Sequence, residues 1–303
     1  MIGHWDDEPW VTIDRGDLRC ERQRLCFTTG APRAALSRYR IDPGRRPMPQ
    51  HVHADEEEIF FVLAGSGLSW QDDAVHEIGA GDVLVHRACA EAHTLVAGPA
   101  EPLEVLAFSS GSPTHLTTLP RAGVTWVGAR WLPADAPHPH LAEPPAGELP
   151  PLAPRPPTIV ALADVEATTQ AVGRVHRVRR DLGRAAGSLL SGCKHVLVPP
   201  GKRSSTRHCH SLEDEIFVVL AGGGAVLLGD DATAVRPGSF VYRPRGTGVA
   251  HTFEAGDGGL TLLAYGTREP DDICWYPDSK KLFFGGVDVI ARVQPLDYWD
   301  GEQ

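Results

Sequence analysis

Apolar residues along this chain occur in short runs that are bounded by glycine, proline or aspartate. Examples are EIFFVLAG from Glu58, GDVLVHR from Gly81 and PLEVLAFSS from Pro102. Runs of this length favour β-strands, and helix signals are weak throughout. The pattern therefore predicts an all-β protein built as an antiparallel sandwich or barrel.

The second half of the chain repeats the first. EIFVVLAG from Glu215, GSFVYRP from Gly238 and GLTLLAYGT from Gly259 follow in the same order. A seventh pair, His93 and His251, is 158 positions apart, and six pairs are 157 positions apart: Gly44 and Gly201, His51 and His208, His53 and His210, Glu58 and Glu215, Gly65 and Gly222, Gly81 and Gly238. An internal repeat of this kind predicts two copies of one domain.

A stretch rich in proline and alanine separates the two copies and predicts an extended connection. We expect an N-terminal barrel over residues 1–131, a Pro-rich linker over 132–157, and a C-terminal barrel with an aromatic tail over 158–303. The aromatic residues expected to anchor this tail on a core or a dimer face are Trp275, Tyr276, Tyr298 and Trp299. A homodimer is left open.

Histidines and one carboxylate recur together in both copies. Two histidines that alternate along a strand point to the same face, and a third arrives from another strand. The predicted ligands are His51, His53, Glu58 and His93 in the first copy, and His208, His210, Glu215 and His251 in the second. Three imidazoles and a carboxylate suit a divalent first-row metal, with Fe(II) favoured and Mn(II), Zn(II), Ni(II) or Cu(II) as alternatives.

Other acids beside these ligands compete for the carboxylate role. They are Glu56 and Glu57 in the first copy, and Glu213 and Asp214 in the second. We prefer Glu58 and Glu215 because each stands seven residues before the glycine that ends its strand. The remaining acids are expected to form a solvated loop.

These segments resemble the two signature motifs of the cupin superfamily. GRRPMPQHVHADEEEIFFVLAG and GKRSSTRHCHSLEDEIFVVLAG match the first motif, and GSFVYRPRGTGVAH matches the second with two extra residues. GDVLVHRACAEAH departs further, since Arg87 and Cys89 stand where proline and glycine are usual, and Ala97 and Ala255 replace a frequent asparagine. The C-terminal half also resembles functionally uncharacterised cupins.

The resemblance implies a bicupin, with two tandem jelly-roll β-barrels and a metal in the mouth of each. Bicupins include quercetin dioxygenase-like and oxalate decarboxylase-like enzymes, metal-dependent isomerases and seed-storage proteins without catalysis. The fold therefore does not determine the reaction.

The composition of the chain argues against some classes of binding partner. The net charge is -10, and the densest basic stretch, RVHRVRRDLGR from Arg174, is interrupted by apolar residues and is expected to be a solvated face. We expect no nucleic-acid partner. No apolar run reaches the roughly 20 residues of a membrane helix, so no membrane partner is expected.

The six cysteines form no CxxC pair and the acidic N-terminus lacks an apolar signal region, which predicts a cytoplasmic protein with reduced thiols.

The retained ligands favour a metal-dependent enzyme that acts on a small organic molecule. Four protein ligands in an octahedral shell leave two positions for substrate, so an Fe(II) oxygenase or dioxygenase is the first hypothesis. A non-oxidative isomerase or decarboxylase with the same site is the alternative, followed by a non-catalytic binder. The repeat also pairs Arg38 with His195 and Val85 with Tyr242. A cation or a phenol at these positions could hold a carboxylate substrate near a metal, and a position that faces solvent is the alternative.

Overall fold

The computed structural model describes residues 1–26, 34–110, 116–127, 130–132 and 143–302. Strands dominate the first half. They are β1 (Ile2–His4), β2 (Val11–Arg15), β3 (Leu18–Cys26), β4 (Ala35–Ile41), β5 (Val52–His53), β6 (Glu58–Ala64), β7 (Ser66–Gln71), β8 (Ala74–Gly79), β9 (Asp82–His86), β10 (His93–Ala97), β11 (Leu103–Ser109), β12 (Thr117–Leu119), β13 (Val124–Val127) and β14 (Arg130–Leu132).

The second half follows the same plan. Its strands are β15 (Ile159–Ala161), β16 (Ala167–Val172), β17 (Val175–Asp181), β18 (Ser191–Val198), β19 (Cys209–His210), β20 (Glu215–Leu228), β21 (Asp231–Val235), β22 (Ser239–Arg243), β23 (His251–Thr267), β24 (Ile273–Tyr276), β25 (Lys281–Phe284) and β26 (Val289–Arg292). One short helix, α1 (Leu182–Ala185), and 3-10 turns at Trp5–Asp7, Leu162–Asp164, Pro277–Ser279 and Gly285–Val287 complete the described elements.

Each half forms an antiparallel jelly-roll, so the predicted all-β tandem fold is confirmed. The main sheet of the N-terminal barrel runs β15-β9-β6-β11-β4-β3-β2, and that of the C-terminal barrel runs β1-β22-β20-β23-β18-β17-β16. In the second barrel β20 and β23 bend through bulges and serve both layers. Among the described residues, no helix is long and apolar enough to cross a membrane.

The two barrels exchange their first strands. β1 pairs with β22 of the C-terminal barrel, with Ile2 opposite Val241. β15 pairs with β9 of the N-terminal barrel, with Ile159 opposite Leu84. Residues 1–131 and 158–303 are therefore not self-contained sheets, because each barrel edge is completed by a strand from the other half. Sequence spacing could not show this, since an exchanged strand keeps its place in the repeat.

The predicted linker lies partly outside the described residues, at 133–142. Its described part is fastened to the N-terminal barrel. Glu143 is buried and pairs with Arg46 at 3.0 Å and with Arg121 at 2.9 Å. Arg155 contacts Asp82 at 2.6 Å. These ion pairs hold the extended chain on the barrel surface.

A continuous apolar face joins the barrels. Ile59 and Phe61 of β6 meet Ile216 and Val218 of β20 in one buried cluster. At its centre the rings of Phe108 and Tyr265 stack 5.1 Å apart. Burial of this face stabilises the association of the two barrels, because it removes apolar surface from water on both sides.

A buried carboxylate crosses this face. Glu57, which was expected in a solvated loop, is fully buried. Its side chain accepts hydrogen bonds from the hydroxyl groups of Ser188 and Ser191 at 2.6 and 2.5 Å, and from the backbone N–H groups of Leu189 and Ser191 at 2.9 and 3.1 Å. Four donors from the C-terminal half thereby replace the water that the anion loses.

Replacement of Glu57 by alanine should destabilise the protein strongly. The change removes the acceptor of the backbone N–H groups of Leu189 and Ser191, while the Ser188 hydroxyl can still donate to the carbonyl of Ser191. We therefore expect the free energy of unfolding to fall by about 3 kcal/mol. Urea denaturation followed by fluorescence measures this loss. Glu77→Ala, at an exposed position, is the matched control and should change stability by less than about 0.5 kcal/mol. Equal effects of the two changes would contradict the anchoring role.

Candidate metal centres

The four predicted ligands of the N-terminal barrel converge on one point. His53 lies on β5, Glu58 begins β6 and His93 begins β10, while His51 precedes β5. Glu58 Oε2 lies 3.2 Å from Nε2 of His51, 3.3 Å from Nε2 of His53 and 2.9 Å from Nε2 of His93. All four side chains are largely buried.

The C-terminal barrel repeats this arrangement with a wider spacing. Glu215 Oε2 lies 3.0 Å from Nε2 of His251, 3.5 Å from Nε2 of His210 and 3.9 Å from Nε2 of His208. β19, β20 and β23 position these side chains. The structure thus brings together both predicted ligand sets.

Hydrogen bonds orient the imidazoles for coordination. His51 Nδ1 donates to the carbonyl of Pro49 at 3.0 Å, and His208 Nδ1 donates to the carbonyl of Thr206 at 2.8 Å. A carbonyl oxygen only accepts, so Nδ1 carries the proton and Nε2 turns its lone pair toward the carboxylate.

The ligand atoms are poorly satisfied by the protein itself. Nε2 of His53, Nε2 of His251 and Oε2 of Glu215 are buried without a hydrogen-bond partner among the described residues. Lone pairs of imidazoles and of a carboxylate that face one point repel each other unless a cation lies between them. The donor set therefore fits a divalent metal ion, and it does not single out iron.

Burial and neighbouring acids set the protonation of the C-terminal ligands. Burial lowers the pKa of His208 to about 4. Burial also opposes the protonation of His210, but Asp272 and Glu215 outweigh it and raise its pKa to about 9. The pKa of Glu215 lies far below its usual range despite burial, because three histidines surround it. In the N-terminal barrel, burial strongly lowers the pKa of His93.

Residues outside the predicted ligand sets hold the second histidine of each pair. His210 Nδ1 contacts Asp272 Oδ2 at 2.7 Å, and Asp272 also accepts from Ser211 and from the N–H of Leu212. In the N-terminal barrel, Thr117 Oγ1 lies 2.9 Å from His53 Nδ1. Both partners come from small sheets next to the barrels, which sequence spacing alone did not associate with the ligands.

The aromatic tail contributes more to the site than was expected. Tyr276 stacks on His208 with ring centroids 6.0 Å apart, and Cys274 is buried beside the same histidines. Tyr298 and Trp299, by contrast, are exposed by 84% and 69%. The prediction that they anchor the tail on a core is therefore wrong within this chain.

Several other predictions are corrected. Arg38 pairs with Glu104 and lies over the ring of Trp5, away from the metal ligands. Tyr242 belongs to the apolar face between the barrels. The acids expected in a solvated loop include Glu56 and Asp214, which are buried because the loop packs against the barrels. The basic stretch from Arg174 is half-buried along β17, and Arg177 and Arg179 line a cavity.

The two centres face different cavities. The C-terminal ligands line a cavity of about 1020 Å³ that also contains Glu213 and Lys194. His51 lines a cavity of about 310 Å³, with Tyr39 and Arg22 in its wall. Tyr39 corresponds to Val196 in the repeat, and its larger, buried ring occupies space that the C-terminal barrel leaves free.

Comparison with known proteins agrees with this architecture. The family model described as "Cupin domain" matches residues 37–109 and again residues 194–264. The chain is a bicupin. No protein of curated function matches it by sequence.

Solved bicupin structures align over both barrels. A deletion variant of oxalate decarboxylase from Bacillus subtilis is 17% identical, with 88% of this chain and 76% of that chain covered and a TM-score of 0.61. The formate complex of oxalate decarboxylase from Lactobacillus farciminis is 17% identical, with 88% and 86% covered and a TM-score of 0.60. At this identity the likeness establishes the fold of the bicupin and not its reaction.

Each barrel should bind one metal ion independently. His51→Ala removes a lone pair from the first centre and His208→Ala removes one from the second, so each variant should lose one equivalent of metal. Elemental analysis after dialysis against Mn(II) measures the stoichiometry. A wild-type chain with one equivalent, or a single substitution that empties both centres, would contradict this prediction.

Metal affinity of the C-terminal centre should rise with pH. Below pH 9 His210 carries a proton, which a metal ion must displace from Nε2. The apparent affinity should therefore increase about tenfold per pH unit between pH 7 and 9 and level off above that, as one released proton requires.

Asp272→Asn supplies the control for this pH dependence. The substitution removes the negative charge that favours the protonated form of His210. The metal affinity should therefore depend less on pH between pH 7 and 9. Calorimetric titration of His51→Ala protein with Mn(II) isolates the C-terminal centre. The same slope in the Asp272→Asn variant would show that another group controls the proton.

Proposed function

We propose that this bicupin is a metal-dependent decarboxylase of an organic acid, with its chemistry in the C-terminal barrel. One observation carries the proposal: the C-terminal centre opens into a large cavity whose lining includes cationic side chains and a carboxylic acid, Glu213. The N-terminal centre borders a smaller cavity with mostly apolar walls. The likeness to structures named oxalate decarboxylase supports the reaction class but does not establish it.

Glu213 is the residue placed to move a proton. Burial raises its pKa, and it accepts a hydrogen bond from the N–H of Glu269 at 3.1 Å. Its other oxygen lies 3.6 Å from His210 Nδ1. A carboxyl group with a raised pKa that lines the cavity can act as a general acid.

The proposed reaction is a decarboxylation in which atoms and electrons balance. The four ligands of the C-terminal barrel would hold a divalent metal ion, which would supply Lewis acidity toward a carboxylate or carbonyl group of the substrate. The bond to the departing carboxylate carbon breaks, CO₂ leaves, and the electron pair stays on the neighbouring carbon. Glu213 donates its proton to that carbon and is later protonated again by water.

Surrounding residues position this chemistry. Asp272 fixes the orientation of His210 through its short contact with Nδ1. Tyr276 covers His208 and keeps one side of the centre away from water. Burial raises the pKa of the Tyr276 hydroxyl far above neutrality, so it remains a neutral hydrogen-bond donor.

A panel of keto acids and dicarboxylic acids tests the reaction class. We expect CO₂ release under nitrogen from Mn(II)-loaded protein, abolished by His208→Ala and retained in His51→Ala. Oxygen consumption that accompanies turnover of Fe(II)-loaded protein would instead support the oxygenase hypothesis, which stays a prediction. Conversion to an isomer without CO₂ would support an isomerase.

Glu213→Gln should lower kcat by about 100-fold or more, because a general acid contributes 10²–10⁴ in rate. Metal content should be unchanged, since Glu213 is not among the four ligands. Glu56→Gln alters the corresponding residue of the other barrel and should leave kcat within about twofold of wild type. Similar losses in both variants would contradict the assignment of catalysis to the C-terminal barrel.

A further inference from the structure

Five basic residues of the described chain line the C-terminal cavity, and Arg177, Arg179 and Lys194 are three of them. Arg177 and Arg179 project from β17 and Lys194 from β18, and all three line the cavity. Within the part of the chain that the structure describes, none of them forms an ion pair with a carboxylate. We call Arg177, Arg179 and Lys194 the cationic wall.

This lack of partners is unusual for the molecule. The chain has 39 acidic and 29 basic residues, so acids are in excess. Other arginines form ion pairs with these acids: Arg174 and Arg203 both contact Glu254, at 2.9 and 3.0 Å. Carboxylates also line the cavity, at Glu213, Glu215, Glu269 and Asp272, but no ion pair joins them to the cationic wall among the described residues. Buried or half-buried charges are normally paired, so basic side chains without an ion pair favour a ligand of the opposite sign.

The wall is built into the barrel and is not a loose surface. Arg177 donates through Nε to Gln170 Oε1 at 2.8 Å and through Nη1 to the carbonyl of Ser204 at 2.9 Å. Nε of Arg179 is buried without a hydrogen-bond partner among the described residues. Arg179 also borders an outer groove lined by Asp164 and Glu166, but it pairs with neither acid.

Strand register places Lys194 on the same sheet face as the ligand Glu215, with β23 between their two strands. Lys194 on β18 is level with Ala264 on β23, and Ala264 is level with Phe217 on β20. Glu215 lies two residues from Phe217 on the same face. Two strand spacings and an offset of two residues separate Lys194 from Glu215, so their backbone positions are roughly 12 Å apart.

Small residues form the floor of the cavity between the cationic wall and the metal ligands. Gly192, Ala264 and Gly266 line the cavity between Lys194 and Glu215. In the N-terminal barrel, the position that corresponds to Lys194 is Ser37, and Tyr39 stands where the C-terminal barrel has Val196. The cationic wall and the open floor are therefore features of one barrel only.

We propose that the C-terminal cavity takes a substrate with two anionic groups, one at the metal centre and a second, a carboxylate or phosphate, at the cationic wall. This inference deepens the proposed function and rests on it for the metal end of the substrate. Repulsion from Arg179 adds to burial in lowering the pKa of Arg177, and a bound anion would relieve it.

Binding of simple anions tests the wall without knowledge of the substrate. Calorimetry at constant ionic strength would titrate inorganic phosphate and, separately, succinate into the full chain carrying His208→Ala, whose C-terminal metal centre is impaired. We expect one site per chain. Tighter binding of phosphate assigns a phosphate to the wall, and tighter binding of succinate assigns a carboxylate. Absence of binding by both anions overturns the inference.

Matched variants locate the site. In the same background, Arg179→Gln and Lys194→Met should each weaken anion binding by about tenfold or more, as expected for lost charged hydrogen bonds. Arg180→Gln is the control, since Arg180 is the next residue of β17, faces away from the cavity and donates to the carbonyl of Val165. Equal weakening by the control would overturn the location.

The two proposals fail in different ways. Anion binding that depends on the wall, without decarboxylation of any acid, would remove the proposed function and retain the subsite. Decarboxylation that is unaffected by Arg179→Gln and Lys194→Met, with no anion binding, would retain the function and remove the subsite.

Discussion

The apolar face between the two barrels is the constraint on which both metal centres depend. β6 and β20 are buried on both faces, so a hydrophobic pattern alone does not orient them. Ile59 and Phe61 pack across the face, and strand alternation then turns Glu58 into its own barrel. The same packing of Ile216 and Val218 turns Glu215 inward. A shift of register by one residue would place the carboxylates in the apolar face and leave the histidines without a partner.

Exchange of the first strands links this packing to both barrel edges. β1 and β15 each complete a sheet of the opposite half. An uncovered edge would expose unpaired backbone N–H and C=O groups, which favours aggregation. The exchanged strands cover these edges, while Glu57 ties the loop before β18 to the N-terminal half. Each main sheet therefore includes one strand from the other half of the chain.

The repeat gives both barrels the same ligands but different surroundings. At corresponding positions, Tyr39 fills the first cavity and Val196 leaves the second one open, while Ser37 is replaced by Lys194. A few side-chain differences on one inner face thus distinguish the confined N-terminal centre from the C-terminal centre, which has space and charged groups for a substrate. This difference is the basis of our proposal that catalysis takes place at the second centre.

The sequence predicted the tandem all-β fold, and it predicted eight metal ligands whose side chains the structure brings together in two groups of four. It could do so because strand alternation and a repeat of constant length are local or one-dimensional properties of the chain. Only the tertiary structure decided which neighbouring acids are buried, since Glu57 and Glu213 look alike in sequence but meet different partners. It also decided that Asp272 supports His210, that Arg177 and Arg179 line a cavity, and that the first strands exchange. These features depend on contacts between residues far apart in the chain, and burial, which sets their energies, exists only once the sheets have packed.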